Sequence, residues 1–462
     1  MQSRQRFRRR SVASMLGVVL GVVGGIGAAT WSVAGAEPSS TEPQAVFDVT
    51  HLPALLTAPD ESIDLAYDVH CAAAEDETGD AGCDARGTVF VRPIGRTSFA
   101  ALPLESRMEG GVRQLAVVVP DRLDGTRGIE YYAELEASTI GRQVTLPAGG
   151  AAAPHVSRRL LDSVTVGLGR HTFGRKGRDG SRVAFATWGH GAGQAGLEHG
   201  RNLAPIGASA FDVDRGGSVF LLDQVNRRVL HWDERSKLAT SVPVSVNGTL
   251  ADMSVADDGS LYVLETTAGP GRRPLVRRFD DGGRELEAVE TAERTPSQIR
   301  IESGSPVVLG RPSHHWMPIL VDGVPASPAR QLEHGRPGRR FPGGVEVVAA
   351  RQGNEVRVAV VAGRAITRSW RVTSATPLAE VQLAEPWGQR LVLVARVYDD
   401  TADEFVVLVL GRNGLVDRFA LDSADWAEAS ALGRFKLRGR SLYRLGSSPS
   451  GVFVDRYDLE VR

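Results

Sequence analysis

A repeat of 42 residues constrains the fold of this chain more than any other feature of its sequence. The segment FDVDRGGSVFLLD, which begins at Phe211, aligns without gaps with MSVADDGSLYVLE, which begins at Met253. Gly217 falls on Gly259, and the apolar positions that follow the glycine also coincide. A period near 42 residues that carries only short extended segments is typical of a β-propeller blade.

Later copies of the repeat are degenerate, as in EFVVLVLGRNGLVDRFALD and SLYRLGSSPSGVFVDRYDL. Dividing residues 182–462 by the period gives about six to seven blades, and we predict six. A propeller is usually closed by one blade that takes strands from both ends of the domain. We expect residues 181–188, SRVAFATW, to supply the N-terminal strand that completes the blade made by residues 434–461.

Within the first repeat, the strands SVFLLD and RVLHWD are joined by a polar corner. Asp223 and Asn226 at such a corner can accept backbone N–H bonds and tolerate the left-handed conformation. We expect Arg227 or Arg228 to reach a carboxylate of the next blade. These are structural roles, and they predict no chemistry.

SVFLLDQVNRRVLHWD, followed one period later by DDGSLYVLE, resembles the NHL-type repeats of six-bladed β-propellers. The preceding stretch, WGHGAGQAGLEHGRNLAPIGASAFDVD, is similar to the start of such propellers in exported bacterial proteins. The resemblance covers about residues 185–265 and implies a scaffold shared by binding proteins and a few enzymes. By itself it implies no particular chemistry.

The region before the repeats also predicts strands, which makes the whole chain an all-β protein. Residues 47–147 contain alternating runs bounded by Gly, Pro or Asp, the pattern of a β-sandwich. The run GIEYYAELEAS followed by GRQVTLPAGG looks like the last hairpin of an immunoglobulin-like or fibronectin type III-like module. Residues 148–181 are predicted to be a linker, with a short strand within DSVTVGL.

The N-terminus has the pattern of an export signal. Residues 1–36 combine a basic start, an uncharged run and a small-residue cleavage pattern that ends at Ala36. We expect cleavage after Ala36, with an uncleaved N-terminal anchor as the alternative. Residues 37–46 are a polar tether. The protein is therefore predicted to be extracellular or in the cell envelope, in contact with a membrane only through an uncleaved N-terminal segment.

The two cysteines, Cys71 and Cys83, fit an oxidising compartment and predict a disulfide bond. The bond would staple the acidic loop between them as a hairpin and stabilise the fold by ~3 kcal/mol. A zinc site would need further ligands, and His70 is the only nearby candidate. Residues 37–150 carry a net charge of −11, so nucleic acid is not an expected partner.

Two groups of histidines are candidates for chemistry. His190 and His199 flank a glycine-rich loop with Glu198, and this loop could lie across one mouth of the propeller. Its spacing matches no common metal motif. His314 and His315 are adjacent, so on a strand they would point to opposite faces, and we expect them in an exposed loop.

The sequence contains no GxSxG, P-loop or GxGxxG motif that would indicate catalysis. We therefore expect an exported, non-enzymatic binding or scaffolding protein whose propeller face recruits a protein, peptide or glycan at the cell envelope. No cofactor is predicted. The alternative is a calcium-dependent hydrolase or lyase acting at the axial pocket, because lactonases of the six-bladed type hold calcium there.

Overall fold

The computed structural model describes residues 46–72, 84–175, 177–199, 204–233, 239–246, 248–267, 272–311, 313–427 and 433–460. Nearly all regular structure in these ranges is β, which confirms the predicted all-β class. The described helices are α1 (Pro328–Glu333) and two 3₁₀ turns, Ser138–Ile140 and Gly150–Ala152. None of the described helices has the length and apolar character needed to cross a membrane. The predicted export signal, most of the tether and Cys83 lie outside the described residues.

The first ten strands form two sheets, which we call the N-terminal sheets. The strands are β1 (Val46–His51), β2 (Leu56–Thr57), β3 (Asp64–Ala72), β4 (Ala85–Pro93), β5 (Ala100–Pro103), β6 (Glu105–Glu109), β7 (Val112–Val118), β8 (Gly128–Ala137), β9 (Arg142–Leu146) and β10 (His155–Arg159). One sheet has the order β1-β3-β7-β6, and the other has the order β2-β10-β8-β4-β5 with β9 on β8. Alternate side chains of both sheets, among them Tyr67 and Tyr131, fill one shared core. The hairpin of β8 and β9 agrees with the prediction.

The acidic loop was predicted to join two strands of one hairpin, but it does not. It connects β3 with β4, and these strands belong to different sheets. Cys71 is buried near the end of β3. The predicted bond would therefore link Cys71, in β3 of one sheet, with Cys83, which comes just before β4 of the other sheet in the sequence. The bond itself stays a prediction.

The rest of the chain forms successive sheets of short strands. The first strands are β11 (Val164–Gly167), β12 (Ser181–Thr187), β13 (Ala210–Val213), β14 (Val219–Asp223), β15 (Arg228–Trp232), β16 (Thr240–Pro243), β17 (Leu250–Val255), β18 (Leu261–Glu265), β19 (Leu275–Phe279), β20 (Glu285–Glu290), β21 (Thr295–Glu302), β22 (Ser305–Arg311), β23 (Trp316–Pro318), β24 (Leu320–Val321) and β25 (Val324–Pro325). The sheet β13-β14-β15-β16 and the sheet β17-β18-β19-β20 follow the predicted repeat. Gly217 and Gly259 both have positive φ, 87° and 83°, so both repeats use glycine at the same turn.

After α1 the remaining strands are β26 (Arg339–Phe341), β27 (Val345–Gln352), β28 (Glu355–Ala362), β29 (Ala365–Thr373), β30 (Leu378–Trp387), β31 (Arg390–Tyr398), β32 (Asp403–Gly411), β33 (Gly414–Asp422), β34 (Phe435–Arg438), β35 (Ser441–Ser448) and β36 (Gly451–Asp458). They form the sheets β26-β27-β28-β29, β30-β31-β32-β33 and β34-β35-β36. The segment predicted to be a linker contributes β10 to the N-terminal sheets and β11 to the outer edge of β29, in parallel pairing.

The sheets are the blades of a β-propeller. Their inner strands lie side by side, with β13 beside β17, β17 beside β21, β30 beside β34, and β34 beside β13. β12 pairs with β36 in antiparallel register, with Phe185 opposite Phe453. This pairing confirms the predicted closure, in which an early strand completes the last blade.

The N-terminal sheets pack against the propeller at one position of the ring. One face of the β27 sheet packs on the β31 sheet through residues such as Val358 and Leu393. Its other face packs on Leu55, Leu56 and Leu160 of the N-terminal sheets rather than on the β22 sheet. We call this contact the junction.

Candidate functional site

A cavity of about 430 Å³ lies at the junction. Its walls come from the propeller strands β21, β27 and β30, and Leu52, Pro53 and Leu55 reach it from the N-terminal sheets. On the inner edge of β27, which is the inner strand of its blade and lies beside β30, is the short strand β26. It pairs only with Val345–Val347, so the inner edge of residues 348–352 has no strand partner in the part of the chain that the structure describes.

Four arginines and two glutamates line the cavity, and two of the arginines are already paired. Arg300 donates to Asp252 Oδ2 at 2.8 Å, and Arg339 forms an ion pair with Glu385. These ion pairs hold neighbouring inner strands together. They also neutralise the charges of Arg300 and Arg339, so neither guanidinium group is free to bind a ligand.

The other two arginines, Arg311 and Arg351, have no carboxylate partner within 4 Å among the described residues. Arg351 donates only to two backbone carbonyls, those of Gly353 at 3.1 Å and Leu378 at 3.3 Å. Arg311 lies exposed at the end of β22 and lines the cavity. Both guanidinium groups are therefore available to an anionic ligand.

The cavity also contains the carboxyl group of Glu380. Its Oε1 accepts a hydrogen bond of 2.6 Å from Gln382 Nε2. Burial raises the pKa of Glu380, although Arg396 and Arg311 oppose that rise. A carboxyl group with a raised pKa can exchange a proton with a bound ligand.

Beside the cavity, buried charges connect neighbouring inner strands of the propeller. Asp212 Oδ2 accepts from Ser254 Oγ at 2.8 Å and Val255 N at 2.9 Å, and its Oδ1 lies 3.0 Å from Arg438 Nη2. Although burial opposes ionisation, Lys436 and Arg438 hold the pKa of Asp212 below its usual range. Burial lowers the pKa of Lys436 to about 8.

The predicted blade corner is a compact hydrogen-bonded unit. Asp223 is fully buried and accepts bonds from Gly196 N at 3.0 Å, Asn226 N at 3.2 Å, Asn226 Nδ2 at 2.8 Å and Arg228 Nε at 3.1 Å. The left-handed residue is Arg227, with φ of 53°, and not Asn226. The expected contact with a carboxylate of the next blade is wrong. Arg227 donates to the carbonyl of Val246, and Arg228 donates to Asp223 of its own blade and to the carbonyls of Gly191 and Gln194.

The predicted mouth loop lies on this corner and does not line the cavity. His190 Nδ1 is 2.6 Å from Asn226 Oδ1, and Glu198 pairs through its backbone with Ile206. Glu198 and His199 are exposed. Within the described ranges, no three His, Cys, Asp or Glu side chains are arranged to hold a metal ion.

The adjacent histidines do not share one environment, contrary to the expected exposed loop. His314 is exposed and lines the cavity, whereas His315 is buried. The His315 ring centroid lies 5.2 Å from that of His155, which is 5.4 Å from that of His51. Burial lowers the pKa values of His51 and His315 to about 4 and that of His155 well below its usual value. Sequence reasoning missed this group because its members are far apart in the chain.

No protein-family model matches the chain, and no curated protein matches its sequence. Similar solved structures include virginiamycin B lyase from Staphylococcus aureus, with 10% identity over 55% of this chain and 95% of that one, and a TM-score of 0.33. The β-propeller domain of Myceliophteria thermophila Cps50 (Swd1) has 11% identity over 57% of this chain and 99% of that one, with a TM-score of 0.30. A nidogen/laminin complex has 10% identity over 50% and 90%, with a TM-score of 0.31.

Proposed function

We propose that this protein is an exported, non-enzymatic binding or scaffolding protein that recruits its ligand through the cavity at the junction. The single observation that supports the proposal is the cavity itself. It is open to solvent, it is lined by both apolar and charged side chains, and it carries two arginines without a carboxylate partner within the described residues. Concave sites with a few uncommitted polar groups are the usual form of a ligand site.

The wider setting of the proposal comes from the sequence. An export signal over residues 1–36 would deliver the protein to the cell envelope or beyond. We infer that the propeller has six blades of the NHL type and that the N-terminal sheets form an immunoglobulin-like sandwich. Under this proposal a protein, a peptide or a glycan in that compartment is the ligand.

A site-specific photo-crosslinker tests the proposal in the native envelope. The crosslinker is placed at Leu52, which is 69% exposed at the rim of the cavity, and at Leu286, which is 43% exposed elsewhere. We expect a defined product only from position 52. Ala379→Trp, which fills the cavity wall, should abolish that product, whereas Ala375→Trp at an exposed position outside the cavity should leave it unchanged. Equal capture from both crosslinker positions would contradict a ligand site at the junction.

One observation favours a second candidate, the propeller hydrolase or lyase. Glu380 combines a raised pKa with a position in the cavity, as general acids do. This candidate predicts a stoichiometric calcium ion in the purified protein and a loss of turnover in Glu380→Gln. Metal analysis that finds no stoichiometric ion would remove it.

A further inference from the structure

We infer that the ligand of the cavity is an extended peptide with an acidic side chain, which adds as a strand to the free inner edge of β27. This inference rests on the proposed function and names its ligand class. In the described part of the chain, residues 348–352 pair with β28 on one side and with no strand on the other. An unpaired strand edge is a template for another extended chain.

The hairpin between β27 and β28 determines which backbone groups face the cavity. Its loop has two residues, Gly353 and Asn354, so Gln352 and Glu355 form the hydrogen-bonded pair next to the turn. Such pairs alternate along an antiparallel ladder. Val348 and Ala350 therefore bond to β28, whereas the N–H and C=O groups of Ala349 and Arg351 point to the free edge.

The free edge of β27 along the cavity is long enough for an extended chain. Its length is ~16 Å for five residues, at the usual rise of a strand. Other lining residues belong to neighbouring inner strands, with Gln298 on β21 and Val381 on β30. Leu52 and Pro53 add apolar surface to the lining. Beyond the short β26, the inner edge of β27 is open to a strand from another molecule.

The charges of the lining favour an acidic peptide. Of the four arginines, Arg311 and Arg351 have no carboxylate partner within 4 Å among the described residues. Of the two glutamates, Glu385 is already paired with Arg339, and burial raises the pKa of Glu380, which reduces its negative charge. A ligand carboxylate at this position would gain charge-assisted hydrogen bonds, which are the stronger kind. A glycan lacks the regular series of N–H donors that the edge carbonyls require.

The probe is a labelled library of acetylated and amidated heptapeptides, with a central Asp and Val, Thr or Ala elsewhere. We expect binding that falls by about tenfold when the Asp is replaced by Asn. N-methylation of alternate amides should weaken binding by about tenfold or more, because it removes the ladder donors.

Two protein variants separate the backbone contribution from the charge. Ala349→Pro removes the N–H that faces the cavity and keeps the pairing with β28, and Ala349→Gly is the matched control that retains the amide. Arg351→Gln should weaken the Asp peptides and leave the Asn analogues unchanged. Should Ala349→Pro fail to fold, hydrogen exchange on the unaltered protein replaces it. The peptide should then slow exchange at the amides of Ala349 and Arg351.

Two outcomes would overturn the inference. One is the absence of binding by every library member at about 1 mM, the weak end of specific recognition. The other is binding that is insensitive to N-methylation and causes no protection at the two amides. In either case, the proposed binding function would still hold if the crosslinker at Leu52 gave a product that Ala379→Trp abolishes. The ligand of the cavity would then be a glycan or another molecule.

Discussion

At Asp223, one buried carboxylate holds three separate pieces of chain together. It accepts bonds from the corner at Asn226, from Arg228 on the next strand, and from Gly196 in the glycine-rich loop. The contacts within the corner could be predicted, because Asp and Asn satisfy turns locally. The contact with Gly196 could not, because the two residues are 27 positions apart in the chain.

We expect Asp223→Ala to lower the free energy of unfolding by about 3 kcal/mol, because it leaves the Nε–H of Arg228 and two backbone amides without their acceptor. Urea denaturation measures the change. Asp281→Ala, at an exposed position, is the control and should change stability by less than about 0.5 kcal/mol. Equal effects of the two substitutions would show that the buried acceptor is not the cause.

At the scale of elements, closure of the ring depends on β12. This strand alternates strictly, with Ala184 and Ala186 buried and Phe185 and Thr187 exposed. Period and alternation were enough to predict its pairing with the last blade. The short β26 was not predicted, because the Gly- and Pro-rich stretch before it has no periodicity that shows where pairing begins.

We expect Ala186→Asp to lower the free energy of unfolding by more than about 3 kcal/mol, because it places a charge in the interface that closes the ring. Phe185→Asp on the opposite face of the same strand is the control and should cost less than about 1 kcal/mol. Thermal and urea unfolding of both variants check the difference. A similar cost at both positions would contradict a one-sided, ring-closing role for β12.

At the scale of the whole molecule, the N-terminal sheets and the propeller share a buried apolar cluster at the junction. Leu160 is fully buried there, whereas the next residue, Leu161, is 56% exposed. Arg357 adds polar contacts, with donation to the carbonyl of Leu56 at 2.9 Å and an ion pair with Glu61 at 2.5 Å. The two parts should therefore unfold together.

We expect Leu160→Ala to lower the free energy of unfolding by about 3 kcal/mol, with loss of packing on both sides of the junction. Leu161→Ala is the matched control and should have little effect. Urea unfolding monitored separately in the two parts checks the result. Destabilisation confined to the N-terminal sheets would show that the junction does not couple them to the propeller.

The buried histidines give the junction a predictable dependence on pH. Unfolded histidine binds a proton below about pH 6.5, whereas folded His51 and His315 do so only near pH 4. The unfolded state therefore binds more protons as the pH falls from 6.5 towards 4, and stability is lost over that interval.

We expect the free energy of unfolding to fall by up to about 1.4 kcal/mol per pH unit for each such histidine. His51→Gln should make the slope shallower, and His334→Gln at an exposed position should leave it unchanged. Urea midpoints at pH 7, 6 and 5 measure the slopes. A slope that His51→Gln does not alter would show that this histidine is already protonated in the folded state or does not couple to folding.

The sequence by itself determined the strands, the 42-residue blade, the blade corner and the closing strand, because hydrophobic alternation and turn chemistry are local. Only the tertiary structure decided where the N-terminal sheets pack, that β26 pairs with three of the eight residues of β27, and that His51, His155 and His315 meet. These features depend on contacts between residues that are distant in the chain, and no local pattern specifies such contacts. The cavity belongs to this second group, since it is formed where two separately predictable parts come together.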